Sequence, residues 1–420
     1  MARYRDVDVL VVGAGPAGCA AAITLAQAGV AATALDGPRR DPPGGELVVP
    51  RVARVLAELG LGDWLAALPP EAVCHGLTLL TPDVSRSTTL SFLGTAGWLV
   101  DRCQLDRALQ AAAVRAGVEI LHDLSATVPS FEGTRLVGVV ARGPDEREEI
   151  ISCKALIDAS GKSAFLARRL GWGFPYPRHQ RSAGWAVYSG VAPPEWLASG
   201  RLTVVTLPSG FLSLAPLGAG RVSVGTALPR RLWDECNGSA ERLLGKALGE
   251  CPPADWMLAK ATPERPVGVV PSLAFRVMDV AGQAFCIVGD AAGYLDQVVP
   301  HGLLAALLGG RSAGLDAADA LLRRGRVTAV DFGPTITLVR LLQRQQVGLV
   351  HAFYDRDFRA VLMAGHEHLG ARRALLRLLE GDVLPPRRWR KLTRAWVLVA
   401  LAGLQELTRR LGTPVFPVVP

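Results

Sequence analysis

The stretch VDVLVVGAGPAG, residues 7–18, decides the fold. Val7 to Val12 form a short apolar run of the kind that becomes a buried parallel strand, and the chain continues after Gly18 as CAAAITLAQAG, a helical run of small residues. Between them Gly13, Gly15 and Gly18 stand in G-x-G-x-x-G spacing, with Ala17 in the same turn. Gly13 permits the tight turn, Gly15 lets backbone N–H groups approach a pyrophosphate, and Gly18 lets helix and strand pack closely, with the helix N-terminus facing phosphate charge. A second apolar run, Val30 to Leu35, ends at Asp36, where such a fold presents an acid to a ribose hydroxyl. A glycine turn alone is a weak signal, whereas strand, glycines, helix, strand and acid in this order specify dinucleotide binding.

Composition sets the frame around that unit. The chain has 420 residues, 50% hydrophobic and 20% charged, with 45 Gly and 29 Pro, the balance of a globular protein with a large core. Lys and Arg number 46 against 38 Asp and Glu, and only Lys154, Lys162, Lys246, Lys260 and Lys391 are lysines. The net charge of +8 is mild and interleaved with acids, which argues against nucleic-acid binding. Seven scattered cysteines without a C-x-x-C pair suit a reducing compartment, and no metal-ligand spacing is visible. The first residues, MARYRDVDVLVV, run directly into the strand without a signal-peptide core, so the reading is cytoplasmic.

A second block narrows the ligand. Ala284 to Val288 (AFCIV) reads as another buried strand and is followed by Gly289-Asp290-Ala291-Ala292-Gly293 and then by the small-residue helix GLLAALLGGRSAGLDAADAL from Gly302. Together with GAGPAG this block resembles FAD-dependent enzymes of the hydroxybenzoate-hydroxylase type. The resemblance implies an α/β fold, with a Rossmann-like FAD-binding domain, an inserted β-sheet substrate domain and a C-terminal helical region. It makes Asp290 the ligand of the flavin ribityl chain. Arg102, in DRCQLD, takes the place of the arginine that lies against FAD, and Asp158, in DASG, that of a conserved turn. The helix beginning at Gly302 would point its N-terminus at the pyrimidine edge of the flavin and favour negative charge there. Plainer readings stay open: Arg102 capping a surface helix, DASG as a strand-ending turn, Asp290 as a helix cap.

Within that group Gly44-Gly45-Glu46-Leu47 with Pro50, DASG, and the aromatic Phe353-Tyr354 and Phe358 resemble flavin-dependent halogenases and geranylgeranyl-reductase-like proteins. Two halogenase elements are missing: no lysine follows the G-E element before Lys154, and the strand expected to carry a W-x-W-x-I-P segment reads GFLSLAPL, residues 210–217. The resemblance therefore implies a monooxygenase, delivering OH from a flavin hydroperoxide to an electron-rich aromatic substrate, an indole or a tryptophan within a peptide or protein. The alternative is a reductase or dehydrogenase of a hydrophobic isoprenoid-like substrate; a halogenase and a non-catalytic FAD-binding protein come after it. No second strand–glycine–helix unit is evident, so the electron source is NAD(P)H docking transiently, a separate flavin reductase, or the substrate itself.

His301, in QVVPHG, is expected near the flavin face, where a neutral imidazole takes a proton or binds an oxygen; the alternative is a histidine packed without titrating. Glu46 is the second candidate for catalysis, with hydrogen bonding to its own turn as the plainer reading. Arg51 and Arg311 suit a phosphate or carboxylate, or ordinary surface pairing. The FAD-binding pieces are expected at 1–75, 96–171 and 270–330, the substrate sheet at 76–95 and 172–269, and a helical region at 331–420. Leu202 to Thr206, Phe211 to Leu214 and Arg221 to Thr226 read as roof strands, with Trp98, Trp185 and Phe211 as pocket or core aromatics. Residues 387–411 form a basic, apolar run too short to span a membrane; packing on its own domain is favoured over a membrane surface or a partner.

Overall fold

The structure is a computed structural model that describes residues 3–38, 44–144, 146–197, 200–272, 274–296, 298, 300–364, 371–382, 402, 405 and 406. In chain order the elements used below are β1 (Arg3–Val12), α1 (Pro16–Gln27), β2 (Ala32–Asp36), β3 (Gly45–Val48), β4 (Gly97–Asp101), α2 (Arg102–Arg115), β5 (Glu119–His122), β6 (Glu148–Asp158), β7 (Arg181–Ser189), β8 (Phe211–Gly218), β9 (Phe285–Ile287), α3 (Gly302–Arg324), α4 (Gly333–Tyr354), α5 (Arg356–Met363) and α6 (Ala371–Leu379). The decisive strand begins at Arg3 rather than Val7, because parallel pairing with β6 carries it to Glu149. The second strand starts at Ala32, two residues later than its apolar run.

The central sheet places β9, β6, β1, β2 and β5 side by side, all parallel, with the antiparallel ribbon Ser125–Glu132 and Arg135–Arg142 hanging from β6. This is the doubly wound arrangement in which ligands sit beyond the strand C-termini, and β1, β2, β6 and β9 all end on one side. Ten of the twelve residues of α1 are buried, as expected of a helix apolar all round, because the sheet covers one face and α3 the other. The α1–α3 crossing is tight: a Cβ on Gly310 would lie 2.0 Å from the Ala17 carbonyl oxygen, and one on Gly314 2.7 Å from that of Ala21.

A second sheet of eight strands is mainly antiparallel and includes β7, β8, Arg221–Pro229, Leu202–Thr206, Gly76–Leu80 and Ser87–Ser91. The hairpin between β8 and Arg221–Pro229 turns at Ala219-Gly220. A three-stranded patch joins β3 to β4 and brings Glu46 opposite Val100. Among the described residues no helix is long and apolar enough to cross a membrane. The basic run 387–411 lies outside the described residues apart from 402, 405 and 406.

Candidate active site

The site begins at the first turn. Gly13 adopts φ of 103°, and a Cβ there would stand 2.5 Å from the Ala159 carbonyl oxygen; Gly18 would collide with the Gly13 carbonyl at 1.7 Å. Nothing lies within 4 Å of a Cβ placed on Gly15, so this position faces open space in front of the N-terminus of α1. Ala17 supplies no ligand atom beyond its backbone; its methyl group would be 2.9 Å from a Cβ on Gly289, which makes it a packing contact between two glycine turns. Asp36 ends β2 with Oδ2 accepting from Gln110 Nε2 at 3.0 Å and 3.1 Å from His122 Nδ1, so the acid is oriented at the strand C-terminus. This glycine cradle, open where phosphate would lie and bounded by a held acid, fits a dinucleotide.

The second half of the site is electrostatic. The Arg102 side chain donates from Nη1 to Glu46 Oε2 at 3.0 Å and from Nε to Asp106 Oδ1 at 2.8 Å, while its backbone N–H donates to the Gly44 carbonyl. Burial alone would favour proton loss from this guanidinium, but Asp106 and Glu46 hold it charged. Burial raises Glu46 above the ordinary carboxylate range; Arg102 opposes this, and Asp106 and Asp290 add to it. Asp290 is likewise raised by burial and is held down chiefly by Lys162, then by Arg102. Sequence-distant Glu46, Arg102 and Asp290 therefore share one field, with Lys162 as a fourth member. The β3 segment reaches this place because Gly45 N–H donates to Ser223 Oγ of the roof sheet at 2.7 Å, at a contact where a Cβ on Gly45 would be 2.8 Å from Ser223 Cβ.

Lys162 escaped the sequence reading, which sought a lysine after the G-E element. It arrives instead from the DASG-K turn: its Nζ lies 5.1 Å from the Trp185 ring centroid and 4.8 Å from that of Tyr294, within reach of cation–π attraction. The signal available in the sequence was its position directly after DASG. The Trp185 indole is half-buried beside Gly44 and Gly268, where added methyl groups would meet it at 3.0 and 2.5 Å.

Other expected residues fall elsewhere. Asp158 is fully buried, and its two oxygens accept from Ser160 N and Leu166 N at 3.0 and 2.7 Å. The carboxylate ties the turn, and that turn backs Gly13. His301 is 4% exposed and caps the start of α3, with Nε2 donating to the Leu378 carbonyl of α6 at 2.7 Å. Burial lowers its pKa to about 4, so at neutral pH it is an uncharged ring that joins two helices. Gly302 follows as the first residue of α3 with nothing within 4 Å of a Cβ, leaving the helix N-terminus open. Trp98 pairs with Val48 across β3 and β4 and packs on the core; Phe211 is buried edge-on to Phe353 at 6.0 Å. Arg311 pairs with Glu58 at the surface, and Arg51 joins Glu380 through its backbone N–H at 3.1 Å.

Behind Phe353 lies a polar aromatic cluster that the sequence did not announce. Tyr354 O–H donates to Asp296 Oδ2 at 2.7 Å, Arg181 stacks over the Tyr354 ring at 3.5 Å, and His179 stacks on His351 at 4.3 Å. Burial and the neighbouring Asp296 carboxylate push the Tyr354 phenol well above its ordinary value, so it remains a donor. Asp296 also accepts from Val298 N at 3.0 Å, so one carboxylate holds both Val298 and Tyr354 of α4. Among the described residues no group of His, Cys, Asp and Glu could hold a metal ion, and the seven cysteines are free thiols.

A 1H-pyrrole-2-carbonyl-[peptidyl-carrier protein] brominase of Pseudoalteromonas luteoviolacea is 24% identical over 344 residues, 76% of this chain and 78% of the relative. A menaquinone reductase of Mycobacterium tuberculosis is 29% identical over 356 residues, 80% of this chain and 83% of the relative. Among solved structures, a flavoprotein/dehydrogenase of Cytophaga hutchinsonii superposes with a TM-score of 0.83 at 22% identity, covering 96% of this chain and 100% of that one. Residues 6–211 match the FAD binding domain family. Over those residues the chain carries that family's FAD-binding domain, and it is an FAD-dependent enzyme of the oxidoreductase kind.

Proposed function

We propose that this oxidoreductase is a monooxygenase that hydroxylates an electron-rich aromatic substrate, an indole or a peptide-borne tryptophan being the first to test. Tyr294 carries the reading: four residues past Asp290, its ring meets Lys162 beside the cofactor acid and also lines an open aromatic cleft with Tyr176 and Phe275. An aromatic ring bound there would lie next to the cofactor site, with Trp185 and Tyr294 keeping water away.

Bound FAD supplies two-electron storage and oxygen activation. The chain's own residues do the rest. The Gly13–Gly18 turn and the start of α3 take the negative charge of the cofactor, Asp36 and Asp290 orient its sugar and ribityl hydroxyls, and Arg102 keeps Glu46 in place. In the overall balance one oxygen atom of O₂ enters a ring C–H bond, the other leaves as water, and two electrons and two protons are consumed. Electrons come from NAD(P)H or a separate flavin reductase. His301 serves as a positioning residue that fixes the start of α3; Glu46 is the remaining candidate for proton handling.

Reduction of a hydrophobic isoprenoid-like molecule is the second reading, favoured by the likeness to the menaquinone reductase across 80% of the chain. Halogenation re-enters as a third, because Lys162 brings an ammonium to this region by another route. Rapid mixing of anaerobically reduced, FAD-loaded protein with labelled dioxygen and an indole peptide tests the three together. Labelled oxygen in the peptide supports hydroxylation. Direct reoxidation without product moves the assignment to the reductase, and a brominated product in bromide buffer moves it to halogenation.

A further inference from the structure

A cleft of about 720 Å³ opens between the paired strands Gly173–Pro175 and Phe275–Val277, the segment Gly293–Leu295 and one face of α4. Its size falls in the range of small-molecule sites. The walls are mostly aromatic or aliphatic, including Tyr176, Phe275 and Tyr294, while the charged residues lining it are Arg276, Arg340 and Arg344 with no Asp or Glu. In a chain whose 46 basic residues barely outnumber 38 acids, such a one-sided lining marks the charge of what enters.

The three arginines are not equivalent. Arg340 is occupied: Nη1 donates to the Val277 carbonyl at 2.9 Å and to Gln343 Oε1 at 3.2 Å, and Nη2 donates to the Met278 carbonyl. It braces α4 against the strand. Arg276 and Arg344 are exposed at the cleft, and neither guanidinium has an ion pair or hydrogen bond among the described residues. An isolated surface arginine is ordinarily just solvated. Here two of them, from different elements, edge one aromatic-walled cleft.

We infer that the cleft binds a molecule with an aromatic or apolar body and an anionic group. The body lies against Tyr176, Phe275 and Tyr294, and the carboxylate, sulfonate or phosphate is taken by the planar donor forks of Arg276 and Arg344. This rests on the reading that the Tyr294 side of the cofactor site faces substrate, and it adds that the substrate is an acid. Arg340, already bonded to backbone, positions the wall and does not take part in recognition.

The test uses a matched pair of fluorescent probes, 8-anilino-1-naphthalenesulfonate and its uncharged analogue N-phenyl-1-naphthylamine, titrated into the FAD-loaded full chain. The sulfonate is expected to bind about fivefold more tightly than the neutral probe, in keeping with two exposed charge pairs. In the R276Q/R344Q double variant that ratio falls to about one while the neutral probe is unaffected; both side chains are exposed, and flavin content with the unfolding midpoint confirms the fold. Equal affinities in the unaltered protein, or a preference that survives in the double variant, overturns the inference. Oxygen insertion into a neutral indole without any sulfonate preference keeps the hydroxylase reading and removes this one. A sulfonate preference without oxygen insertion does the reverse.

Discussion

Arg102 Nη1 stands 3.0 Å from Glu46 Oε2 while Nε of the same guanidinium reaches Asp106 Oδ1 at 2.8 Å, so one cation joins carboxylates of β3 and α2 beneath Asp290. Arg102→Met leaves three acids in one poorly hydrated place. With Glu46 and Arg102 retaining 22% and 28% side-chain exposure, the expected loss is about 2 kcal/mol, below that of a fully buried pair. Glu46 and Asp290 are already raised by burial, so the folded state takes up protons more readily than the unfolded chain, and the deficit shrinks as the pH falls. Urea unfolding at neutral pH and near pH 5 checks both the size and the sign.

Asp290 and Lys162 separate cofactor retention from substrate effects. Asp290→Ala is expected to weaken FAD at least about tenfold, the cost of about one charge-assisted hydrogen bond. Lys162→Met removes the largest attraction that keeps Asp290 ionised, so FAD binding should become more pH-dependent even where its affinity falls only severalfold. Flavin fluorescence titrations across pH read this directly. Unchanged binding in Lys162→Met would assign the ammonium to the substrate side alone.

His301 gives a pH signature of stability. Its folded pKa, about 4, lies below the model-peptide value of 6.5, so the unfolded chain binds the extra proton first. The contribution is complete above about 6.5 and is lost as the pH falls toward 4, at roughly 1.4 kcal/mol per pH unit. His301→Gln keeps a donor for the Leu378 carbonyl and cannot titrate, so the slope in that window should flatten by one proton with turnover preserved. His301→Ala should lose turnover with FAD still bound, because α6 is no longer tied to the start of α3. A Gln variant without turnover would restore the imidazole as a proton-transfer group.

Gly310→Ala tests the helix crossing. The added methyl group would lie 2.0 Å from the Ala17 carbonyl oxygen, which is backbone and cannot swing away. Overpacking of this kind costs about 1–3 kcal/mol. A lowered unfolding midpoint accompanied by weaker FAD binding is expected, since the same shift displaces the N-terminus of α1.

Much of the nucleotide half was legible because its glycines act through the backbone and its acid stands at a strand end. Gly13, Gly15, Gly18 and Asp36 have their meaning fixed by short-range geometry, and strand, turn and helix follow one another within a single segment. Asp158 was ambiguous in the sequence because the D-x-x-G pattern serves equally to tie its own turn, and only the Ser160 and Leu166 N–H groups show the carboxylate engaged there. For His301 the sequence left a proton-handling ring and a packed one both open, since closeness to Gly302 says nothing of α6, which packs over the ring from 77 residues away. Lys162 and the pairing of Tyr354 with Asp296 were missed because these side chains meet their partners through tertiary packing alone. No spacing in a sequence records that Tyr354 and Asp296, 58 residues apart, are hydrogen-bonded.

The seating of α1 between the sheet and α3 also bears on how the chain is made. The helix is complete by residue 27, yet the surface that covers its outer face begins at residue 302, and β9, the neighbour of β6, arrives only at residue 285. On a ribosome emitting about 5–20 residues per second, the first strand and helix wait for tens of seconds with apolar faces uncovered. The sheet containing β7 and β8 can close earlier, since its strands are emitted by residue 270. The cofactor half, although read first in the sequence, is the half whose closing pieces, β9 and α3, are synthesised after every strand of the other sheet.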